Sequence, residues 1–150
     1  MLEDGQKITI CLPATAEYVD VVRLNLYGIA SKMGFSYEEI EDMKVAISEA
    51  CNNSVLHAYH SQNGVMEINF EVQGDALSIT VKDEGQGFED WEPIEDDQAL
   101  HNKDLSNVEI GGLGFYLMQA LMDDVSVNRE VGQGTSVTMT RKVMRSEETV

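Results

Sequence analysis

Two alternating runs, V-M-E-I-N-F-E-V at 65–72 and A-L-S-I-T-V-K at 76–82, stand only Q-G-D apart, directly downstream of a long helical pattern over 36–60. So short a connection joins antiparallel neighbours, because a parallel crossover needs a dozen residues or more. Alternation gives the hairpin one apolar face, and the 3.6-residue period gives the preceding segment one apolar stripe. The segment before the hairpin opens on Ser36 with Glu39 three residues later, a capping box, and places Ile40, Met43, Ile47, Ala50 and Val55 on its buried side.

The rest of the chain repeats these two patterns. A β-branched alternating run at 7–12 ends at Pro13, and a helix is predicted over 15–33 with Tyr18, Val21, Val22, Leu26, Ile29 and Ala30 apolar and Gly34 as its stop. A short helix at 113–122 precedes strands at 125–129 and 136–142, with G-Q-G-T at 132–135 as their turn. Residues 89–110 are acidic, hold Trp91 and Pro93, and follow no period, which reads as a long loop, with a lid expected over about 89–112. The tail from 144 is charged and reads as frayed. The expected fold is α+β, a two-layer sandwich with a mixed, mostly antiparallel sheet and helices on one face, built as a single domain over 1–150.

Charge narrows the function. Ten basic against 27 acidic residues give a net charge of −17, which excludes a broad phosphate-binding face and argues against nucleic acid as a partner. A nucleotide bound by so acidic a chain must be held by backbone N–H groups, a metal ion and a few placed side chains. The same field suits a partner protein with a basic surface. No basic and apolar leader opens the chain and no apolar run is long enough to span a bilayer, so a soluble, cytoplasmic protein without membrane contact is expected. Cys11 and Cys51 form no metal-binding spacing and read as reduced thiols.

Three motifs carry chemistry. Glu49, Asn53 and His57 are four apart on one helix and share a face, in a segment, S-E-A-C-N-N-S, that spends poor helix formers in mid-helix. Asp83 ends a strand and leads into Gly85 and Gly87, where a carboxylate can accept a hydrogen bond from an exocyclic amine such as that of adenine. Gly111, Gly112, Leu113 and Gly114 stand where the unpatterned loop meets a helix N-terminus, which favours phosphate oxygens. Each has a plain alternative when taken alone: an exposed polar helix face, a glycine turn, a helix start without a cap.

Together, E-A-C-N-N, D-E-G-Q-G-F and G-G-L-G-F resemble the N box and the two glycine boxes of the GHKL ATPase/kinase superfamily, and G-T-S-V-T-M at 134–139 resembles its closing motif. Within that superfamily, S-E-A-C-N-N-S-V-L-H-A-Y, G-G-L-G-F-Y-L-M and L-M-D-D-V are similar to the anti-sigma factor serine kinases, over nearly the whole chain. The resemblance implies a homodimer that withholds a sigma-B-type sigma factor from RNA polymerase. It also implies Mg²⁺- and ATP-dependent phosphorylation of a serine on an anti-anti-sigma, STAS-type protein. It makes Glu49 the catalytic base, Asn53 the Mg²⁺ ligand and Asp83 the adenine-binding carboxylate. It further makes Gly85 and Gly87 the first glycine box, Gly112, Leu113 and Gly114 the hinge of the phosphate lid, and Thr135 a neighbour of adenine.

These roles agree with elementary chemistry. A serine hydroxyl attacks phosphorus well only if a carboxylate takes its proton, and Asn53 offers Mg²⁺ a neutral oxygen. Between Asp83 and Asn128 the sole cation is Lys103, the candidate for the γ-phosphate. Two rivals stand beside this reading: the ATP-binding half of a histidine kinase, which would need a preceding phospho-acceptor helix pair, and an ATP-gated binding module without phosphoryl transfer. Arg23, a rare basic residue on the first helix, reads either as a partner anchor or as a surface ion pair.

Overall fold

Residues 3–58, 64–83, 110–130 and 134–144 are described in the computed structural model of the chain. In order they form β1 (Lys7–Pro13), a single 3₁₀ turn (Ala16–Tyr18), α1 (Val19–Met33), α2 (Tyr37–Ala58), β2 (Val65–Gln73), β3 (Ala76–Asp83), α3 (Ile110–Leu121), β4 (Asp124–Glu130) and β5 (Gly134–Lys142). The strands make one sheet in the order β1-β2-β3-β5-β4. The expected α+β sandwich is present, with every pairing antiparallel rather than mixed.

Register follows from burial. Met66, Ile68, Phe70 and Val72 of β2 and Leu77, Ile79 and Val81 of β3 point to one face and are buried there. A one-residue slip would turn all of them to the other side, and each is worth roughly 1.5–3 kcal/mol of burial, so the pairing is strongly specified. The opposite face is polar: Thr9 donates to Asn69 Oδ1 at 2.5 Å, Asn69 donates to Glu67 at 2.9 Å, and the Thr80 and Thr138 hydroxyls meet at 3.0 Å. The helices therefore cover the apolar face alone.

Helix α1 contributes Val22, Leu26, Ile29 and Ala30 to the core, and α2 contributes Ile40, Met43, Ala46, Ile47, Ala50 and Cys51. Val21, expected among the buried residues of α1, is exposed, because the stripe follows 22, 26, 29 and 30 and leaves 21 a step outside it. The predicted stop is Gly34, in the left-handed conformation at φ 95°, which lets Phe35 N–H reach Ala30 O at 3.2 Å. The capping box forms in both directions: Ser36 N–H donates to Glu39 Oε1 at 2.8 Å and Glu39 N–H to Ser36 Oγ at 3.1 Å. Glu39 is buried and its other oxygen accepts Met144 N–H at 2.9 Å, so one carboxylate ties the start of α2 to the exit of β5.

Helices α2 and α3 run antiparallel. Near the start of α2, Asp42 lies 3.6 Å from Arg141, whose guanidinium also donates to Leu121 O at the end of α3 at 2.7 Å. The far end of α2 lies against the start of α3. That end of the sandwich also holds the end of β3 and the start of β5.

Candidate functional site

Glu49 and Asn53 lie one turn apart on α2, as their spacing requires, but their surroundings differ. Asn53 is 4% exposed, and among the described residues its Nδ2 has no hydrogen-bond partner. Glu49 is half-buried, and desolvation raises its carboxyl above the usual glutamate value. The run of poor helix formers resolves into distinct tasks. Ser48 Oγ donates to Lys44 O at 2.7 Å and accepts Arg23 Nη1–H at 3.0 Å, a structural role, whereas Asn53 and Ser54 are buried and Asn52 is exposed.

Asp83 ends the central strand and pairs directly with Thr135 near the start of β5. Both side chains belong to the apolar face and both are 3% exposed, which is unusual for a carboxylate. Thr135 Oγ1 has no hydrogen-bond partner among the described residues. Gly134 and Thr135, read from sequence as part of a turn, already belong to the strand, because the β3 pairing extends to the last residue of β3.

The glycines of G-G-L-G require a correction. They were expected before the helix, as a hinge ahead of its N-terminus, but α3 begins at Ile110, so Gly111, Gly112 and Gly114 lie within its first turns. The upper end of the expected lid, 110–112, is accordingly helical. Glycine here costs roughly 0.8–1 kcal/mol per position relative to alanine. Packing explains Gly114: a Cβ there would stand 2.7 Å from Glu49 Oε1, so the glycine leaves the Glu49 carboxylate its present place beside α3. Gly112 is buried as well, while Leu113 is 45% exposed.

Gly85, Gly87 and Lys103 lie outside the described residues, as does the side chain of His57. Arg23 is a structural ion pair. It bonds Asp20 on its own helix and Ser48 on α2, so its fork is spent on joining two helices. Cys11 is exposed, and Cys51 is buried with its thiol pushed up to about 12 by desolvation, opposed in part by Arg23, which leaves it unreactive at neutral pH. Among the described residues no group of three or more His, Cys, Asp or Glu side chains could hold a metal, and no helix is long and apolar enough to cross a membrane.

The residues at this end suit a magnesium nucleotide. Buried polar atoms without partners cost roughly 1–3 kcal/mol each and are few in native proteins, and two of them, on Asn53 of α2 and Thr135 of β5, have none among the described residues, as donors kept for a polar ligand would. Mg²⁺ commonly takes one or two protein oxygens and completes its octahedron with phosphates and water, so a single amide is sufficient. One carboxylate, Asp83, is buried at the end of the central strand, and a second, Glu49, stands half-buried on α2, one turn from Asn53.

A model of the histidine kinase-like ATPase domain matches residues 12–141. The serine-protein kinase RsbW of Bacillus subtilis strain 168 is 42% identical over 144 residues, spanning 94% of this chain and 88% of that protein. The RsbW of Bacillus cereus strain ATCC 10987 is 41% identical over 149 residues, spanning 98% and 91%. A crystal structure of the RsbU and RsbW domains of a Mycobacterium tuberculosis protein superposes with a TM-score of 0.69 over 97% of this chain and 34% of that one, and at 23% identity it speaks for the fold alone. The chain therefore belongs to the histidine kinase-like ATPase family, and within that family, at this level of identity, to the serine-protein kinases of the RsbW type.

Proposed function

We propose that this protein-serine kinase transfers the γ-phosphoryl group of Mg-ATP to a serine of a STAS-type anti-anti-sigma protein and, acting as a cytoplasmic homodimer, sequesters a sigma-B-type sigma factor while that antagonist is inactive. The observation that carries the reading is the gathering of Glu49, Asn53, Asp83 and Thr135 at one end of the sandwich, with Asn53 Nδ2 and Thr135 Oγ1 lacking partners among the described residues. Support for the partners comes from family membership and from the net charge of −17, which favours basic protein surfaces over nucleic acid.

Each side chain has one task. The Asp83 carboxylate accepts the adenine amine, with Thr135 beside it on the next strand. Asn53 presents its amide oxygen to Mg²⁺, which when bound offsets phosphate charge that this acidic chain cannot. Glu49 accepts the proton of the substrate serine as its oxygen bonds to the γ-phosphorus and the bond to the bridging β,γ-oxygen breaks, the electron pair leaving on ADP. A desolvated carboxylate is the better acceptor for this, since its raised pKa holds the proton more firmly.

The test is incubation with Mg-ATP and the cognate anti-anti-sigma protein, followed by mapping of phosphoserine. Label is expected on a serine of that partner and at background level with Glu49→Gln. Binding of ATP without label above that control would reduce the protein to an ATP-gated binding module.

A further inference from the structure

Glycine at 114 is not explained by backbone conformation. The residue sits inside α3, with no left-handed φ that would demand glycine. Its position is explained by one atom: a Cβ built there meets Glu49 Oε1 at 2.7 Å, whereas Glu49 Cβ at 3.5 Å and Cδ at 3.6 Å are at ordinary contact distance. The conflict is therefore confined to the far end of a flexible side chain. A methyl group at 114 is accommodated by rotating the Glu49 carboxylate away, with no movement of either helix.

We propose that Gly114 is a positioning residue for phosphoryl transfer: the bare helix surface at 114 is the seat against which the Glu49 carboxylate is held, and α3 thereby sets where the proton acceptor stands. This rests on the reading of Glu49 as the base. It assigns Gly114 work distinct from a hinge or a phosphate contact, since its effect passes through another side chain.

Gly114→Ala in the full-length protein separates these roles. Alanine is the better helix former, so the variant is expected to melt at or above the native temperature. Its kcat for phosphorylation of the partner protein is expected to fall about 10²-fold, the scale of an ångström-level misplacement of a reacting group, with KM nearly constant. Glu49→Asp, which withdraws the carboxylate by one methylene, is expected to impair the native protein but to restore part of the activity lost in Gly114→Ala, a coupling that a double-mutant cycle reads directly. Should Gly114→Ala melt lower, adding Glu49→Ala must restore the melting temperature, since it removes the carboxylate in conflict.

An unchanged kcat in Gly114→Ala, additive effects of Glu49→Asp and Gly114→Ala, or a loss of stability that Glu49→Ala does not recover would each overturn the proposal. Full transfer by Glu49→Gln is a different failure. It would remove the base and leave the steric coupling between 49 and 114 measurable in the melting temperatures.

Discussion

Asp83 and Thr135 stand directly opposite each other on β3 and β5, side by side on the apolar face at the end of the central strand, each 3% exposed. A carboxylate is rarely so deeply placed without a dedicated partner or task, and here the face it joins is otherwise built from Val81, Val137 and Met139. The pairing brings an acceptor and a hydroxyl to one point although they are far apart in the chain.

Replacing Asp83 by Asn keeps shape and burial but exchanges a carboxylate for an amide. A hydrogen bond to a charged group is worth about 1.5–3 kcal/mol, so ATP affinity is expected to fall about tenfold or more. Preference for ATP over GTP should fall with it, because guanine carries no amine at that position. Calorimetric titration with both nucleotides checks this, and native-like affinity in Asp83→Asn would remove the carboxylate from the adenine site.

Asn53→Ala is expected to abolish the strengthening of ATP binding by Mg²⁺ while leaving metal-free binding close to native. Its cost in stability should be small, because the amide nitrogen it removes has no partner among the described residues. Nucleotide titrations with Mg²⁺ and with EDTA read the difference. Equal Mg²⁺ dependence in native and variant protein would count against the metal role.

Glu49 links activity to stability through pH. Its carboxyl is raised by desolvation, so the folded protein binds a proton more readily than the unfolded chain. Stability assigned to this group is therefore full below the ordinary glutamate value of 4.5 and falls as pH rises through the elevated folded value. Glu49→Gln should melt higher than native at neutral pH, with the advantage vanishing under acid. In the native enzyme the acidic limb of kcat should lie above 4.5, since the base must be ionised. Equal melting curves at neutral pH would contradict the desolvated placement.

The Ser36–Glu39 box gives a purely structural expectation. Ser36→Ala removes one cap and is expected to cost about 1 kcal/mol, a shift of roughly 2–4 °C in melting temperature at this size. Glu39→Ala should cost more, because Glu39 accepts both Ser36 N–H and Met144 N–H while buried. Thermal melts of the two variants rank them, and an equal or smaller loss for Glu39→Ala would show that the tie to Met144 is idle.

By itself the sequence determined what depends on near neighbours. Periods of two and 3.6, the Q-G-D turn, the capping box and Gly34 specify strands, helices and their ends, because those signals act within a few residues. It also set Glu49 and Asn53 on one face, since four residues make about one turn. What it left open depends on elements meeting across the fold. The start of α3 is one such point: its glycines argue locally against a helix, and packing against α2 outweighs them. Arg23 reads either way in sequence, and its bond to Ser48 on α2 makes it structural. That Gly114 is empty space for Glu49, and that Asp83 faces Thr135, follows from how α2, α3 and the sheet are stacked. Spacing along a chain determines which residues share a face, but the distance between two faces is decided by the volume of everything packed between them.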